Sequence, residues 1–359
     1  MRGGIICFLV LIYFQTVFLS ILATPKYGVG FTTIPVRFGS INHTIASWLL
    51  QSISPSKILV FIPETYRDYS ESKSISHYDR VSADVADYFP LESERVHVRS
   101  LSNDCGPATK LTGILRYYKD YDIDYWIVSD DDVYYANTTL SRYHNHLLSS
   151  ESKNGGKHKI LTHYRKDRRL AIKLSSNKLK SKLIPHVQGV DTFLLGAVDL
   201  EYLSQIQAPL SHEAFTYILS YYHVVCPLSY YQDDYVISFM IYLSGLRVVS
   251  LWNGEKVAGH VDGVSTSNAQ MHWHPQLFER EEQTKRCISD TSLYVEKLAL
   301  NYASNNNLSA ADTHKYFSNR NYILQELWLK FKSKLLPEKI RRRISRRMLS
   351  LVDLSADVG

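Results

Sequence analysis

Short apolar runs alternate with amphipathic segments along the first third of the chain. The runs of strand length are a stretch that begins at Gly30 and ends at Pro35, then residues 58–62, 96–98 and 125–128. Between them, residues 41–51 and 110–118 carry apolar side chains at the three- and four-residue spacing of a helix. Strands that alternate with helices are typical of a parallel sheet with right-handed crossovers. The pattern predicts an α/β/α sandwich around a mostly parallel central sheet.

The second half of the chain is less regular. Residues 149–182 are polar and strongly basic, which predicts a surface excursion, and order returns with residues 187–203. Residues 235–243 have apolar positions in helical register, and Gly245 is the expected stop after the last turn. Residues 247–251 predict a further strand.

The first 26 residues predict membrane targeting. Residues 5–23 form a mostly apolar run, which would rise about 28 Å as a helix, roughly one hydrocarbon core. Cleavage after Ala23 would put Ile21 where a small residue is preferred, so an uncleaved signal anchor is favoured over a cleaved signal peptide. In both cases the chain enters the secretory pathway. We expect a type II single-pass protein of the Golgi or ER membrane with a luminal domain.

Sequons and cysteines fit that compartment. Asn42, Asn137 and Asn307 each begin an N-glycosylation triplet. Of the four cysteines, Cys7 lies in the apolar start. The other three, Cys105, Cys226 and Cys287, permit one disulfide and one free thiol, and the sequence leaves the pairing open.

The charge of the chain is concentrated near its C-terminus. Within residues 330–347, nine basic residues and one acidic residue give a local net charge of +8. Since the whole chain has a net charge of +6, the rest of it carries −2. The main body is therefore not a basic nucleic-acid binder. Apolar residues interleave with the basic ones over 326–351, which suits an amphipathic membrane-surface helix or a solvated, domain-packing helix. A loop near Ser304 marks the expected domain edge.

Three consecutive carboxylates end the apolar run 125–128: Asp130, Asp131 and Asp132. Strand side chains alternate, so Asp130 and Asp132 are expected to point the same way. Ligands of open α/β sheets sit beyond the carboxyl ends of the strands. Adjacent carboxylates repel, and a hard cation such as Mn²⁺ or Mg²⁺ would remove that cost. The alternative to a metal site is an acidic turn exposed to solvent.

A turn upstream predicts an anion site. Residues 102–111 read SNDCGPATKL, in which Asp104 begins the turn and Lys110 falls in the first turn of the following helix. Backbone N–H groups at a helix start, together with a lysine, suit a diphosphate. A plain proline-started helix would have the same sequence.

The chain resembles the GT-A glycosyltransferases, enzymes with a Rossmann-like domain that use nucleotide sugars. The resemblance covers about residues 28–273 and is carried by TTIPVRF, DCGPATKL, WIVSDDDVYY and YYQDDYVISFMI. It implies that residues 27–303 form a GT-A catalytic domain, between the anchor 1–26 and a helical basic extension 304–359. The GPATKL turn is specific to a sparsely characterised group of such proteins.

The resemblance also implies roles for single residues. Asp130 and Asp132 match the family's DxD pair, which contacts Mn²⁺ and the donor. Asp233 and Asp234 match an acidic pair, usually Glu-Asp, whose second member is the catalytic base of inverting members, and Asp191 is the next candidate. Both residues also precede a helix, so the alternative is that the pair caps the helix and has no catalytic role. A late histidine often binds the metal in this family: His272 is preferred here over His274 and His260. The donor-binding set that we expect is Arg37, Asp104, Lys110, Asp130 and Asp131.

The function implied is metal-dependent, inverting transfer of a sugar from a nucleoside diphosphate sugar to a hydroxyl of a glycan or glycoconjugate. One alternative is a metal-dependent nucleotidyl- or phosphosugar transferase, which a secretory anchor disfavours. Another is a catalytically inactive, lectin-like secretory protein, which intact DxD and base residues disfavour. The sequence leaves the sugar, acceptor and linkage open.

Overall fold

A computed structural model describes residues 24–66, 74–89, 94–151, 159–163, 169–172, 182–185, 187, 192–206, 208–225, 233–251 and 258–260. The strands are β1 Tyr27–Thr32, β2 Lys57–Pro63, β3 Val96–Leu101, β4 Tyr125–Val128, β5 Val133–Tyr135, β6 Lys159–Thr162, β7 Arg169–Ile172, β8 Lys182–Pro185, β9 Phe193–Gly196, β10 Arg247–Ser250 and β11 Ala258–His260. The α-helices are α1 Ile41–Leu49, α2 Ser74–Tyr88, α3 Thr109–Tyr117, α4 Thr139–Glu151, α5 Ala197–Gln205, α6 His212–Val225 and α7 Asp233–Leu243.

Seven strands form the central sheet in the order β10-β6-β9-β4-β1-β2-β3. All neighbours are parallel except β9, which runs antiparallel to both β4 and β6. Two small antiparallel pairs, β5 with β11 and β7 with β8, lie outside this sheet. The prediction of an α/β fold with a mostly parallel central sheet is confirmed.

Helices cover both faces of the sheet. On one face, α3, α5, α6 and α7 pack over a cluster that includes Phe61 and Trp126. On the other face, α1, α2 and α4 pack over a cluster that includes Val60 and Ile127. Neighbouring residues of β2 thus alternate between two apolar layers, which explains why this strand reads as an unbroken apolar run.

Helix α3 lies unusually close to the sheet. A Cβ atom added at Gly113 would overlap the ring of Phe61, and one added at Gly30 would lie 2.7 Å from the side chain of Ile114. Only glycine fits at these two contacts. This close approach fixes α3, and with it Lys110 at its N-terminal end, against the strands.

Two predictions from the sequence are wrong in detail. The first strand begins at Tyr27, three residues before Gly30, because glycines that look like breakers are required by the close packing of Trp126 and α3. The second error is the surface excursion at residues 149–182. It contains β6, whose Ile160 and Leu161 are fully buried between β9 and β10. A four-residue strand inside a basic, polar stretch gives too weak a pattern to recognise.

The helix ends agree closely with expectation. Gly245 adopts a positive φ of 73° just after α7, the backbone of a helix stop.

In the described part of the chain no helix is long and apolar enough to span a membrane. Several predicted features lie outside the described residues: the segment 1–23, Asp191, Cys7, Cys226, Cys287, His272, His274 and the basic C-terminal tail.

Gly113→Ala tests the packing that fixes α3. Alanine inside a helix normally stabilises by about 1 kcal/mol relative to glycine. Here we expect a destabilisation of about 1–3 kcal/mol, because the methyl group would overlap Phe61. Denaturant unfolding measures the change. Gly39→Ala is the control, since nothing lies within 4 Å of a Cβ there. A Gly113→Ala protein as stable as the parent would contradict the close approach.

Candidate active site

The candidate site lies at the carboxyl ends of neighbouring strands. Strand β4 ends at Val128, and Asp130–Asp132 form the loop that leads to β5. Strand β1 runs parallel beside β4, so Arg37, which follows β1, reaches the same edge. Helix α3 follows β3 and carries Lys110 at its second position. Parallel strands thus bring three distant segments together at one edge.

Lys110 joins the acidic loop to the acidic pair on α7. Its Nζ donates a hydrogen bond to Oδ1 of Asp130 at 2.6 Å and lies 3.0 Å from Oδ2 of Asp233. The second contact is an ion pair without good hydrogen-bond geometry. Oδ1 of Asp234 is 3.9 Å away. The Lys110 side chain is only 4% exposed, so protein carboxylates surround its charge.

Arg37 holds the other two carboxylates of the loop. Nη1 donates to Oδ1 of Asp131 at 2.6 Å, and Nη2 lies 3.2 Å from Oδ2 of Asp132. All three side chains are largely buried. The reason for expecting Asp130 and Asp132 to point together does not hold, because β4 ends at Val128 and strand alternation no longer applies. Asp132 shares Arg37 with Asp131, whereas Asp130 pairs with Lys110.

The backbone of the acidic loop is braced by two buried hydroxyl groups. The Thr44 hydroxyl, on α1, is shared between the carbonyls of Asp131 and Val133, at 2.8 and 2.9 Å. The Tyr135 hydroxyl accepts the N–H of Asp130 at 2.9 Å. These contacts hold the three carboxylates in place against their mutual repulsion. The sequence did not single out either residue, because a threonine in an amphipathic helix and one of 26 tyrosines carry no distinctive signal.

The acidic pair forms the first two residues of α7, which starts two residues earlier than the sequence predicted, and its two members differ in environment. Asp233 is buried, with a side chain 8% exposed, whereas the Asp234 side chain is 23% exposed. Negative charge at a helix start is favourable for both. A substrate can therefore approach Asp234 more readily than Asp233.

Burial and charge shift the proton affinities of the site. Burial raises the pKa of Asp131 to about 6, although Arg37 opposes the shift. The Thr33 hydroxyl is near enough to favour the charged form without meeting hydrogen-bond geometry. Burial likewise raises the pKa of Asp233, and Lys110 opposes it.

The two cations show the opposite balance. Burial by itself would lower the pKa of Lys110, but the charges of Asp130, Asp233 and Asp234 together outweigh it, so the pKa lies well above the ordinary value. Burial by itself would also lower the pKa of Arg37, but the carboxylates of the loop outweigh burial, so the pKa is raised. Both side chains are therefore permanent positive charges.

The turn before α3 is built as its sequence predicts. Oδ1 of Asp104 accepts the N–H of Gly106 at 2.8 Å, and Gly106 has a positive φ of 63°. The Thr109 hydroxyl accepts the N–H of Cys105 at 3.1 Å. Helix α7 packs against this turn. The observed contact of Asp104 is thus with its own turn, and a contact with the donor stays a prediction.

The site is suited to a hard cation by charge, although its ligands are not arranged around one. Five carboxylates face two cationic side chains, which leaves three negative charges if all of them are ionised. Among the described residues, no group of three or more His, Cys, Asp or Glu side chains is placed to hold a metal ion. Of the three candidate histidines, only His260 is described, as the last residue of β11, in register with Val133 next to the acidic loop.

No protein-family model matches the chain, and no curated protein matches it. The fold is similar to solved structures that include S. aureus TarS residues 1–349, at 12% identity and a TM-score of 0.38, over 74% of this chain and 72% of that one. The T. maritima inositol-1-phosphate CTP transferase has 10% identity and a TM-score of 0.34, over 73% and 97% of the two chains.

A third similar structure is M. tuberculosis glucosyl-3-phosphoglycerate synthase in complex with Mn²⁺, uridine-diphosphate-glucose and glycerol 3-phosphate. It has 12% identity and a TM-score of 0.33, over 71% of this chain and 80% of that one. Similarity at this level does not assign a function to this chain.

Arg37→Met tests the clamp on the loop, and its effect should depend on pH. The pKa of Asp131 rises from its ordinary value of 3.8 to about 6 in the folded protein. The folded state therefore binds the carboxyl proton of Asp131 more tightly than the unfolded chain does. The resulting stabilisation is complete below about pH 4 and is lost as the pH rises through 6. Without Arg37 an ionised Asp131 has no ion-pair partner among the described residues, so unfolding at pH 8 should show a loss of about 3–5 kcal/mol.

At pH 5 the loss should be smaller, because a protonated Asp131 no longer needs a counter-ion. Asp131→Asn in the Arg37→Met background is the matched variant. It should remove most of the pH dependence of that loss. An Arg37→Met protein that is equally destabilised at both pH values would show that Asp131 is not the group that needs the arginine.

Proposed function

We propose that this protein is a metal-dependent glycosyltransferase that moves a sugar from a nucleoside diphosphate sugar to an acceptor hydroxyl with inversion. One observation carries the proposal: Lys110 contacts both the acidic loop and the acidic pair, which lie about 100 residues apart in the sequence. A donor-side carboxylate and a candidate base therefore share one site. Both are needed for a single displacement at a sugar carbon.

The carboxylates of the loop are the candidates for holding Mn²⁺ or Mg²⁺. Asp130 and Asp132 would supply oxygen ligands, and donor phosphate oxygens would complete the set, as is common for Mg²⁺. A bound cation would act as a Lewis acid that neutralises the charge of the departing diphosphate. His272 remains a candidate ligand from the sequence alone.

The protein side of the reaction falls to Asp234. Its partly exposed carboxylate would accept the proton of the acceptor hydroxyl as the new bond from that oxygen to the sugar carbon forms. The bond between the sugar carbon and the diphosphate oxygen breaks, and its electron pair leaves with the diphosphate. Asp233, buried on Lys110, is the poorer candidate base. Arg37 and Thr44 keep the loop in place during the step.

We also propose that the domain works in the secretory lumen, held by the apolar N-terminal segment and acting on a glycan or glycoconjugate. The Asn137 sequon supports this placement, since Asn137 is exposed in the turn before α4. The Asn42 sequon lies inside α1, and its Thr44 hydroxyl is buried in contacts with the acidic loop.

Asp132→Ala tests the donor site. We expect it to abolish Mn²⁺-dependent binding of UDP-glucose, UDP-N-acetylglucosamine, UDP-galactose and GDP-mannose in calorimetry, because it removes a direct oxygen ligand. Asp87→Ala, a carboxylate loss at an exposed position of α2, is the control. Unchanged metal-dependent binding in Asp132→Ala would refute the central assignment. Incubation with CTP or UTP and sugar 1-phosphates is the second arm: release of pyrophosphate there, without donor hydrolysis, would favour a nucleotidyltransferase.

Asp234→Asn tests the base. Asparagine keeps the shape of this side chain in the first turn of α7 but cannot take a proton, so we expect near-normal melting and nucleotide binding with kcat reduced at least about a hundredfold. Loss of the favourable charge at the helix start alone would cost about 1 kcal/mol of stability and little rate. If Asp234→Asn keeps its turnover while Asp233→Asn loses it, Asp233 is the base. If both keep turnover, the pair only stabilises the start of α7 and Asp191 is the next candidate.

Asn137→Gln tests the compartment. Expressed in a eukaryotic secretory pathway, the protein should lose mass on treatment with a peptide N-glycosidase. Asn137→Gln should remove one glycan, whereas Asn42→Gln should change nothing, because Asn137 is exposed while the side-chain oxygen of Asn42 is buried within α1. A product of unshifted mass would contradict a luminal domain.

A further inference from the structure

We propose that Lys110 is a positioning residue that fixes Asp233 and thereby aims Asp234, and is not itself a ligand of the diphosphate. The inference rests on the proposed function, since it takes Asp234 as the base. Lys110 sits at the start of a helix, where an anion site was expected, so the two roles have to be separated by its contacts.

The positive charge of Lys110 is already compensated by protein carboxylates and is not available to an incoming phosphate. Its side chain is 4% exposed, and its ammonium has two carboxylate oxygens within 3.0 Å and a third at 3.9 Å. With Asp130, Asp233 and Asp234 ionised, the group around Nζ carries two net negative charges. A diphosphate that approached Nζ would meet repulsion from the carboxylates before it met the ammonium.

The same contacts set the direction of Asp234. Asp233 and Asp234 are the first two residues of α7, so the ion pair at Asp233 fixes the rotation of the first turn. The rest of the helix cannot turn to compensate, since Val236, Phe239 and Met240 are fully buried in the core beneath it. Asp234 is then left partly exposed beside the site.

Lys110 also sets the distance between the base and the donor-side carboxylate. Its Nζ is 2.6 Å from Asp130 and 3.9 Å from Asp234, so one ammonium spaces the loop and the helix apart. Without it, Asp130 and the buried Asp233 would repel across the gap. Misplacement of a reacting group by about 1 Å can cost about a hundredfold in rate.

The experiment is a double-mutant cycle of Lys110→Met, Asp233→Asn and the double variant. For each protein, kcat is measured with the donor of the panel that the wild-type enzyme uses fastest, and the Kd of UDP with Mn²⁺ is measured by calorimetry. We expect Lys110→Met to lower kcat about a hundredfold and to leave that Kd within about threefold. Asp233→Asn should lower kcat no further in the Lys110→Met background, because both changes break one contact.

Two further proteins complete the design, and the cycle itself guards against misfolding. Lys110→Arg keeps the charge and should recover at least about tenfold of the loss in kcat. Lys119→Met is the matched control, since Lys119 forms an exposed ion pair with Glu201 at 2.8 Å. Asp233→Asn removes the carboxylate that Lys110→Met would leave buried, so the double variant provides a folded protein if the single one does not fold.

The outcomes separate the inference from the function beneath it. If Lys110→Met weakens UDP–Mn²⁺ binding about tenfold or more in both backgrounds, and its effect on kcat multiplies with that of Asp233→Asn, Lys110 binds diphosphate and the inference is overturned. If the wild-type protein binds and turns over no donor of the panel with Mn²⁺, the proposed function fails, and the inference fails with it.

Discussion

The structure of this site depends on keeping five carboxylates together where water is scarce. Three follow β4 and two open α7, and most of their surface is covered by protein. Two buried cations from distant segments offset part of that charge, and buried charges without partners would be strongly destabilising. Arg37 and Lys110 each bridge two or more carboxylates, so the site is divided into two ion-pair groups that share the acidic loop.

That division gives the two groups different functional capacities. The Arg37 group is enclosed and braced by α1, which suits a fixed platform. The Lys110 group connects three segments and includes the most exposed carboxylates, Asp130 and Asp234, which suits chemistry with ligands from solution. The remaining negative charge attracts a cation, and a cation in turn attracts a diphosphate. Arg37 and Lys110 thus hold the carboxylates in place. Under the proposed function, the carboxylates hold the metal cation, and the cation binds the donor.

Much of this could be anticipated from the sequence, and the failures have physical causes. The apolar runs ending at Val128 and the helix stop at Gly245 were visible because burial and backbone geometry act locally. The pairing of Asp132 with Arg37 was not, because it depends on how the chain turns after β4 has ended. Lys110 was found by its position at a helix start, but its partners come from a helix over 120 residues later, and side-chain pairing at that range leaves no local pattern.

The acidic loop is anchored at both ends in different sheets. Strand β4 lies between β1 and β9, whereas β5 pairs with β11 and places Val133 and Tyr135 inside and Tyr134 outside. If one residue more or fewer in the loop shifted β5 by one position against β11, those faces would exchange, exposing Tyr135 and removing its contact with Asp130. A substitution in this loop would leave the backbone contact between Asp130 and Tyr135 in place, but such a change in length would not. Among related chains, the number of residues between the two strands should vary less than their identity.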